Sequence, residues 1–124
     1  MTDDTLKKFI GCLVEITACN GCVDTGVLQF NDKDMYRAYP YFLEPYDSAN
    51  RPRYKKSHIK KIEILSEIKN GDKVRMNEKY HVSKQNLERV FTTRSGPFLL
   101  GYTWCIFLED WLGCYALDGL DKVD

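Results

Sequence analysis

Apolar and polar side chains alternate through residues 12–18 (CLVEITA), with Val14 and Ile16 on one face and Leu13, Glu15 and Thr17 on the other. A period of two predicts a half-buried β-strand. Asn20-Gly21, a strong hairpin-turn pair, follows, and residues 22–30 return as a second strand anchored by Val23 and Leu28. Gly26 interrupts that strand, where a bulge or a sharp bend is expected. Ahead of the hairpin, residues 3–10 read as a short helix. Asp3, Asp4 and Thr5 offer capping oxygens, Leu6, Phe9 and Ile10 form an apolar face, and Gly11 ends it. Residues 39–44 predict a third strand and 45–52 an exposed loop. Residues 54–65 predict a turn at Ser57-His58 and then a strand carried by Ile59, Ile62 and Ile64.

A second series begins near Ile68. Asn70-Gly71-Asp72 is a turn, and Val74 and Met76 start a strand with Lys73, Arg75 and Asn77 facing out. Residues 83–89 give one helical turn, 90–94 a strand, 95–97 a turn, and 102–108 a strongly apolar strand. Leu112-Gly113 turns the chain into a strand at 114–117, and Asp118-Gly119 turns it again before Leu120 and Val123. Trp104 and Phe107 cannot both face inward with Ile106 in a regular strand, so one aromatic face must meet something outside its own core. Short strands separated by Gly-rich turns predict a mainly β protein of two small SH3-like β-barrels. The first, residues 1–66, carries the N-terminal helix; the second spans 67–124; the two are expected to join near 66–70 and pack as one body. No sequence repeat relates them.

At 124 residues, with 44% hydrophobic and 29% charged positions, the chain is of globular composition. No apolar run approaches the roughly 20 residues of a membrane helix. The first ten residues are acidic and then basic, without the apolar stretch of a secretion signal, so a soluble, cytoplasmic protein is expected. Eighteen basic residues balance eighteen acidic ones, which excludes a wholesale polycation. The balance hides a segregation. Arg51, Arg53, Lys55, Lys56, Lys60 and Lys61 stand together without an acid, whereas residues 105–124 hold Glu109, Asp110, Asp118, Asp121 and Asp124 against Lys122 alone.

Five cysteines without a leader point to reduced thiols. Cys19 and Cys22 form a C-x-x-C, yet Cys105 and Cys114 are nine apart and His58 and His81 are isolated, so no zinc set is predicted. The motif straddles Asn-Gly and reads as a hairpin turn. No nucleophile elbow, zinc-protease, Walker or dinucleotide motif occurs, and the acidic pairs lie in turns. The expectation is a protein without catalytic residues, cofactor or metal.

The features Gly11, Val14, Ile16, Asn20-Gly21, Val23, Gly26, Leu28, Asp32 and Met35, following a short helix, resemble the first motif of the Sm/Lsm family over about residues 5–36. The resemblance implies a strongly bent five-stranded SH3-like barrel. In that family an Asp-x-x-apolar-Asn loop and an Arg-Gly pair hold a single-stranded uridine; here Tyr36 and Lys55-Lys56 stand at those places. Residues 71–120 resemble small uncharacterised proteins of phages and mobile elements of Gram-positive bacteria.

Residues 35–54 hold five of the eight tyrosines, immediately before the basic stretch. Aromatics beside cations stack bases and hold phosphates, and they also anchor protein interfaces. The candidate partner-binding residues are Tyr36, Tyr39, Tyr41, Tyr46, Arg51, Arg53, Lys55 and Lys56, with Asp118 and Asp121 on the acidic side. The expected function is a non-catalytic, phage- or mobile-element-encoded protein that docks on a host protein, such as a defence nuclease of the CRISPR-effector kind, and inhibits it. The alternative is an Sm-like nucleic-acid or nucleotide binder. Ring assembly follows from the fold alone, so an oligomer is a third expectation.

Overall fold

A computed structural model of the chain describes residues 1–33, 37–44 and 52–123. The protein is mainly β, with three antiparallel sheets and a short N-terminal helix. It divides into two compact units, Met1–Ser66 and Glu67–Asp124. Among the described residues, no helix is long and apolar enough to cross a membrane.

In the first unit, helix α1 (Asp3–Lys7) is shorter than the residue pattern predicts. Its N-cap is Thr2, whose hydroxyl accepts the Thr5 N–H at 3.2 Å. The chain after it tightens into i→i+3 bonds, from Phe9 N to Leu6 O (3.0 Å) and from Ile10 N to Lys7 O (3.4 Å), and turns at Gly11 with φ 87°. Leu6 is fully buried, and Phe9 and Ile10 pack on the same core.

Strands β1 (Leu13–Ala18) and β2 (Val23–Phe30) form the predicted hairpin. Gly21 takes φ 89°, its N–H meets Ala18 O at 2.9 Å, and Asn20 Oδ1 accepts the Cys22 N–H at 3.0 Å. Strands β3 (Tyr41–Glu44), β4 (Arg53–Tyr54) and β5 (Ile59–Ser66) complete one sheet in the order β4-β3-β2-β1-β5. Gly26 sits where β3 approaches: a Cβ there would lie 2.9 Å from Leu43 Cβ and 3.0 Å from Glu44 O. Val14, Ile16, Leu28, Tyr41, Leu43, Tyr54 and Ile59 fill the core beside Leu6 and Cys12. Ile64 pairs with Val14 and is 40% exposed, and β5 shifts register against β1 just beyond it, at Leu13/Val14.

The second unit holds two three-stranded sheets. β6 (Lys73–Met76) lies between β7 (Val90–Thr92) and β11 (Leu120–Lys122). β9 (Thr103–Phe107) lies between β8 (Phe98–Leu100) and β10 (Cys114–Ala116). A single bridge, Thr93 with Leu108, joins the two sheets. Buried Val74, Met76, Phe91, Ile106, Leu108, Leu117 and Leu120 supply its apolar interior. Thr93, also buried, donates to Lys69 O at 2.6 Å and accepts the Asp72 N–H at 3.0 Å. β8 is not predicted by the residue pattern, because Leu100-Gly101-Tyr102 lacks a strong turn pair; Gly101 makes the turn with φ 63°. A short α2 (Lys84–Leu87), capped by Ser83, precedes β7. Phe91, Trp111, Tyr115 and Tyr80 form a row of edge-to-face rings at 5.7, 5.8 and 6.2 Å, while Phe98 stacks on Phe107 at 4.8 Å.

Candidate ligand-binding face

The antiparallel pairing of Tyr41 with Tyr54 and of Phe42 with Arg53 fixes what happens at the end of the first sheet. It brings the segment before β3, residues 37–40, against the segment after β4, where Lys56–His58 form a 3₁₀ turn. Arg53 Nε donates to the Tyr39 carbonyl at 3.1 Å, and its guanidinium lies 4.7 Å from the Phe42 ring centroid. The Tyr39 ring, 43% exposed, has Lys55 Nζ at 5.1 Å from its centroid and the His58 ring at 5.9 Å. The aromatic surface is therefore flanked by an ammonium group and an imidazole ring.

Beside it opens a cavity of about 310 Å³, lined by Arg37, Pro40, Lys55, Lys56 and Ser57, with Asp3 at its wall. Asp3 carries a structural duty. Its carboxylate accepts from the Tyr41 hydroxyl at 2.7 Å and from Lys56 Nζ at 3.2 Å, which holds its carboxyl below the usual carboxylate range. Burial, and then the hydrogen bond to Asp3, push the Tyr41 hydroxyl well above its ordinary value. Among the described residues, its lining holds three cations against one carboxylate, which is paired with Lys56.

Of the sequence-predicted residues, Tyr39, Arg53, Lys55 and Lys56 come together here. Tyr41 requires a correction. It is completely buried, with its hydroxyl on Asp3, and serves the core and not an exposed anchor. Tyr36, Tyr46 and Arg51 lie outside the described residues. Asp118 and Asp121 belong to the second unit and are engaged inside it. Asp118 accepts from Lys79 Nζ and, at 2.6 Å, from the Tyr80 hydroxyl, while Asn77 Nδ2 reaches Asp121 Oδ1 at 3.4 Å. Lys79 thus offsets the Asp118 charge, while Tyr80 and Asn77 hydrogen-bond the acidic stretch.

Sequence reasoning passes over Arg37 and His58 as ligand-facing residues. Arg37 lines the cavity, and the pairing of β3 with β4 brings His58 against the Tyr39 ring. It also passes over exposed apolar side chains in the second unit. Leu99 and Leu100, 45% and 59% exposed, and the wholly exposed Tyr102 lie at the β8–β9 turn, whereas the wholly exposed Leu112 lies in the β9–β10 connection at the other end of β9. Among the described residues no group of three or more His, Cys, Asp or Glu side chains is placed to hold a metal ion. Comparison with protein-family models, with curated proteins and with solved structures finds no match to the chain.

Proposed function

We propose that the protein is a non-catalytic binding protein whose first unit takes up single-stranded nucleic acid or a nucleotide at the mouth formed by residues 37–40 and 55–58. The observation that carries this reading is the half-exposed Tyr39 ring with Lys55 at 5.1 Å, beside a cavity bordered by Arg37 and Lys56. An aromatic face stacks any base, contributing about 1–3 kcal/mol per base, and flanking ammonium and guanidinium groups hold the phosphates. The Sm-like reading of residues 5–36 agrees with this location, since that family also binds between these two connections. Lys55 replaces the family's arginine as a charge. Anisotropy of a labelled single-stranded oligonucleotide tests the proposal. Affinity is expected to fall steeply with salt, and Lys55→Ala is expected to flatten the logarithmic salt slope by about 0.7. Tyr39→Ala is expected to weaken binding at every salt concentration. A wild-type protein with no affinity at low salt sinks it.

A second reading, docking on a host protein, draws on the exposed apolar residues Leu99, Leu100 and Tyr102 at the β8–β9 turn. Such anchors suit a protein interface, and an inhibitor of a defence nuclease encoded by a mobile element is the form that reading takes. Leu100→Asp with Tyr102→Ala should then abolish capture of the partner while leaving oligonucleotide affinity untouched.

A further inference from the structure

Strand β5 forms one edge of the first unit's sheet, and among the described residues β1 is its only strand partner. The bonds from Ala18 N to Cys22 O (2.8 Å) and from Leu28 N to Cys12 O (3.1 Å) fix the alternation: even-numbered positions along β1 bond to β2. Odd-numbered positions therefore bond to β5, as the Cys19 N–H does to His58 O at 2.9 Å. Between the register shifts at Leu13/Val14 and Thr17/Ala18, Thr17 stands opposite Lys61 and Glu15 opposite Glu63, so the backbone groups of Lys61 and Glu63 turn to β1. Those of Ile62 and Ile64 turn to the open edge, which is a template for a further strand. We infer that this edge pairs antiparallel, about a two-fold axis at Ile62, with β5 of a second copy of the chain.

Charge selects both the occupant and the register. In a self-pairing centred on Ile62, the Ile62 N–H and C=O exchange bonds with those of the partner's Ile62. Lys61 then falls opposite the partner's Glu63, and Glu63 opposite the partner's Lys61, in the pairs where facing side chains lie closest. Centred on Lys61 or on Glu63, the strand would set that residue against its own copy, a like-charge pair. Lys61 and Glu63 are both half-exposed and already bonded to each other at 2.7 Å, so the two copies would form one alternating row of four charges. Within one chain Glu63 also faces Glu15 across the sheet, an unfavourable like-charge pair that the partner's Lys61 would offset. On the other face, Ile62 at the margin of the core meets the partner's Ile62, with Ile64, 40% exposed, beside it. The opposite edge of the sheet, β4, has two residues, so head-to-tail pairing of β5 with a neighbour's β4 has little to hold it. The self-complementary pairing closes as a dimer and not as a ring. It is independent of what the mouth at residues 37–40 and 55–58 binds.

Sedimentation equilibrium of the full chain over roughly 10 µM to 1 mM, the range a contact of this size calls for, is expected to show a monomer–dimer equilibrium. Lys61→Glu and Glu63→Lys each set like charges opposite one another and are each expected to weaken self-association about tenfold. An equimolar mixture of the two variants sets an acidic row against a basic one and is expected to restore a dimer at wild-type concentrations. Amide hydrogen exchange, read by NMR at both ends of the range, locates the contact. The Ile62 and Ile64 amides are expected to slow as the protein is concentrated, whereas those of Lys61 and Glu63, already bonded to β1, do not change. A monomer throughout, an assembly larger than a dimer, or a dimer without added protection at Ile62 overturns the inference. So do single variants that dimerise like the wild type, or a mixture that stays monomeric.

Discussion

Asp118 sits between an ammonium and a phenol. Lys79 first, then the Tyr80 hydroxyl, hold its carboxyl below the usual carboxylate range. A carboxylate whose pKa folding lowers stabilises the fold above its unfolded value, about 4, and that contribution disappears as pH falls through the lowered folded value. The pair is half-exposed, so solvent screening keeps its contribution small. Asp118→Asn is expected to lower the urea midpoint of the second unit modestly at pH 7 and to match the wild type near pH 2; paired urea titrations check this. Thr93 is a stronger case because it is buried and bonded on both sides of its hydroxyl. Thr93→Val keeps the shape but leaves the Lys69 carbonyl and the Asp72 N–H only their mutual 3.2 Å bond, and is expected to cost about 0.5–1.5 kcal/mol in the same assay. Burial, with the neighbouring Cys114 thiol, pushes the Cys105 thiol up to about 11. It is therefore expected to resist iodoacetamide at pH 8 in the native protein, where exposed Cys19 and Cys22 react; alkylation at Cys105 at their rate contradicts its placement.

At the scale of elements, two glycines separate close backbone approach from mere crowding. A Cβ on Gly26 meets Leu43 Cβ and the Glu44 carbonyl, neither of which can swing away; one on Gly119 meets the outer ring atoms of Tyr80 and Tyr115. Gly26→Ala is expected to cost about 1–3 kcal/mol, and Gly119→Ala less, because the half-exposed Tyr80 ring can shift. Thermal melts of both variants test the order. Gly26 stands out in the sequence as an isolated glycine in an otherwise regular strand, where a bulge or sharp bend is expected; the β1–β2 register runs through it without a shift, and the close approach of β3 is what requires it. The β1–β2 hairpin is legible for a similar reason: Asn20-Gly21 has local turn chemistry, and Val14 and Ile16 mark one face. Where local signals fail, so does the reading. Helix α1 stops at Lys7 because the following turn tightens to i→i+3, which its apolar spacing does not encode. Strand β8 escapes a sequence reading because Gly101-Tyr102 is an uncommon turn pair, and the register shift of β5 at Leu13/Val14 leaves no mark on the residue pattern.

At the scale of the whole molecule, charge and function are only partly readable from the chain. Residues 1–66 hold ten Lys and Arg against nine Asp and Glu, and residues 67–124 hold eight against nine, so neither unit is strongly charged. What differs is which charges are engaged. Lys56 and Lys61 are paired with Asp3 and Glu63, whereas Lys55 lies against the Tyr39 ring. The basic run is visible as sequence, but its division into structural and ligand-facing members depends on contacts across the fold. The same holds for Tyr41, which composition places among the aromatic anchors and the Asp3 bond places in the core.

The most direct measurement is anisotropy of a labelled single-stranded oligonucleotide titrated with the full chain at low and high salt, alongside Tyr39→Ala and Lys55→Ala. Binding that weakens steeply with salt, falls with Tyr39→Ala, and loses salt slope with Lys55→Ala is the expected result. Affinity that is absent at low salt, or indifferent to both substitutions, contradicts a nucleic-acid-binding mouth at residues 37–40 and 55–58.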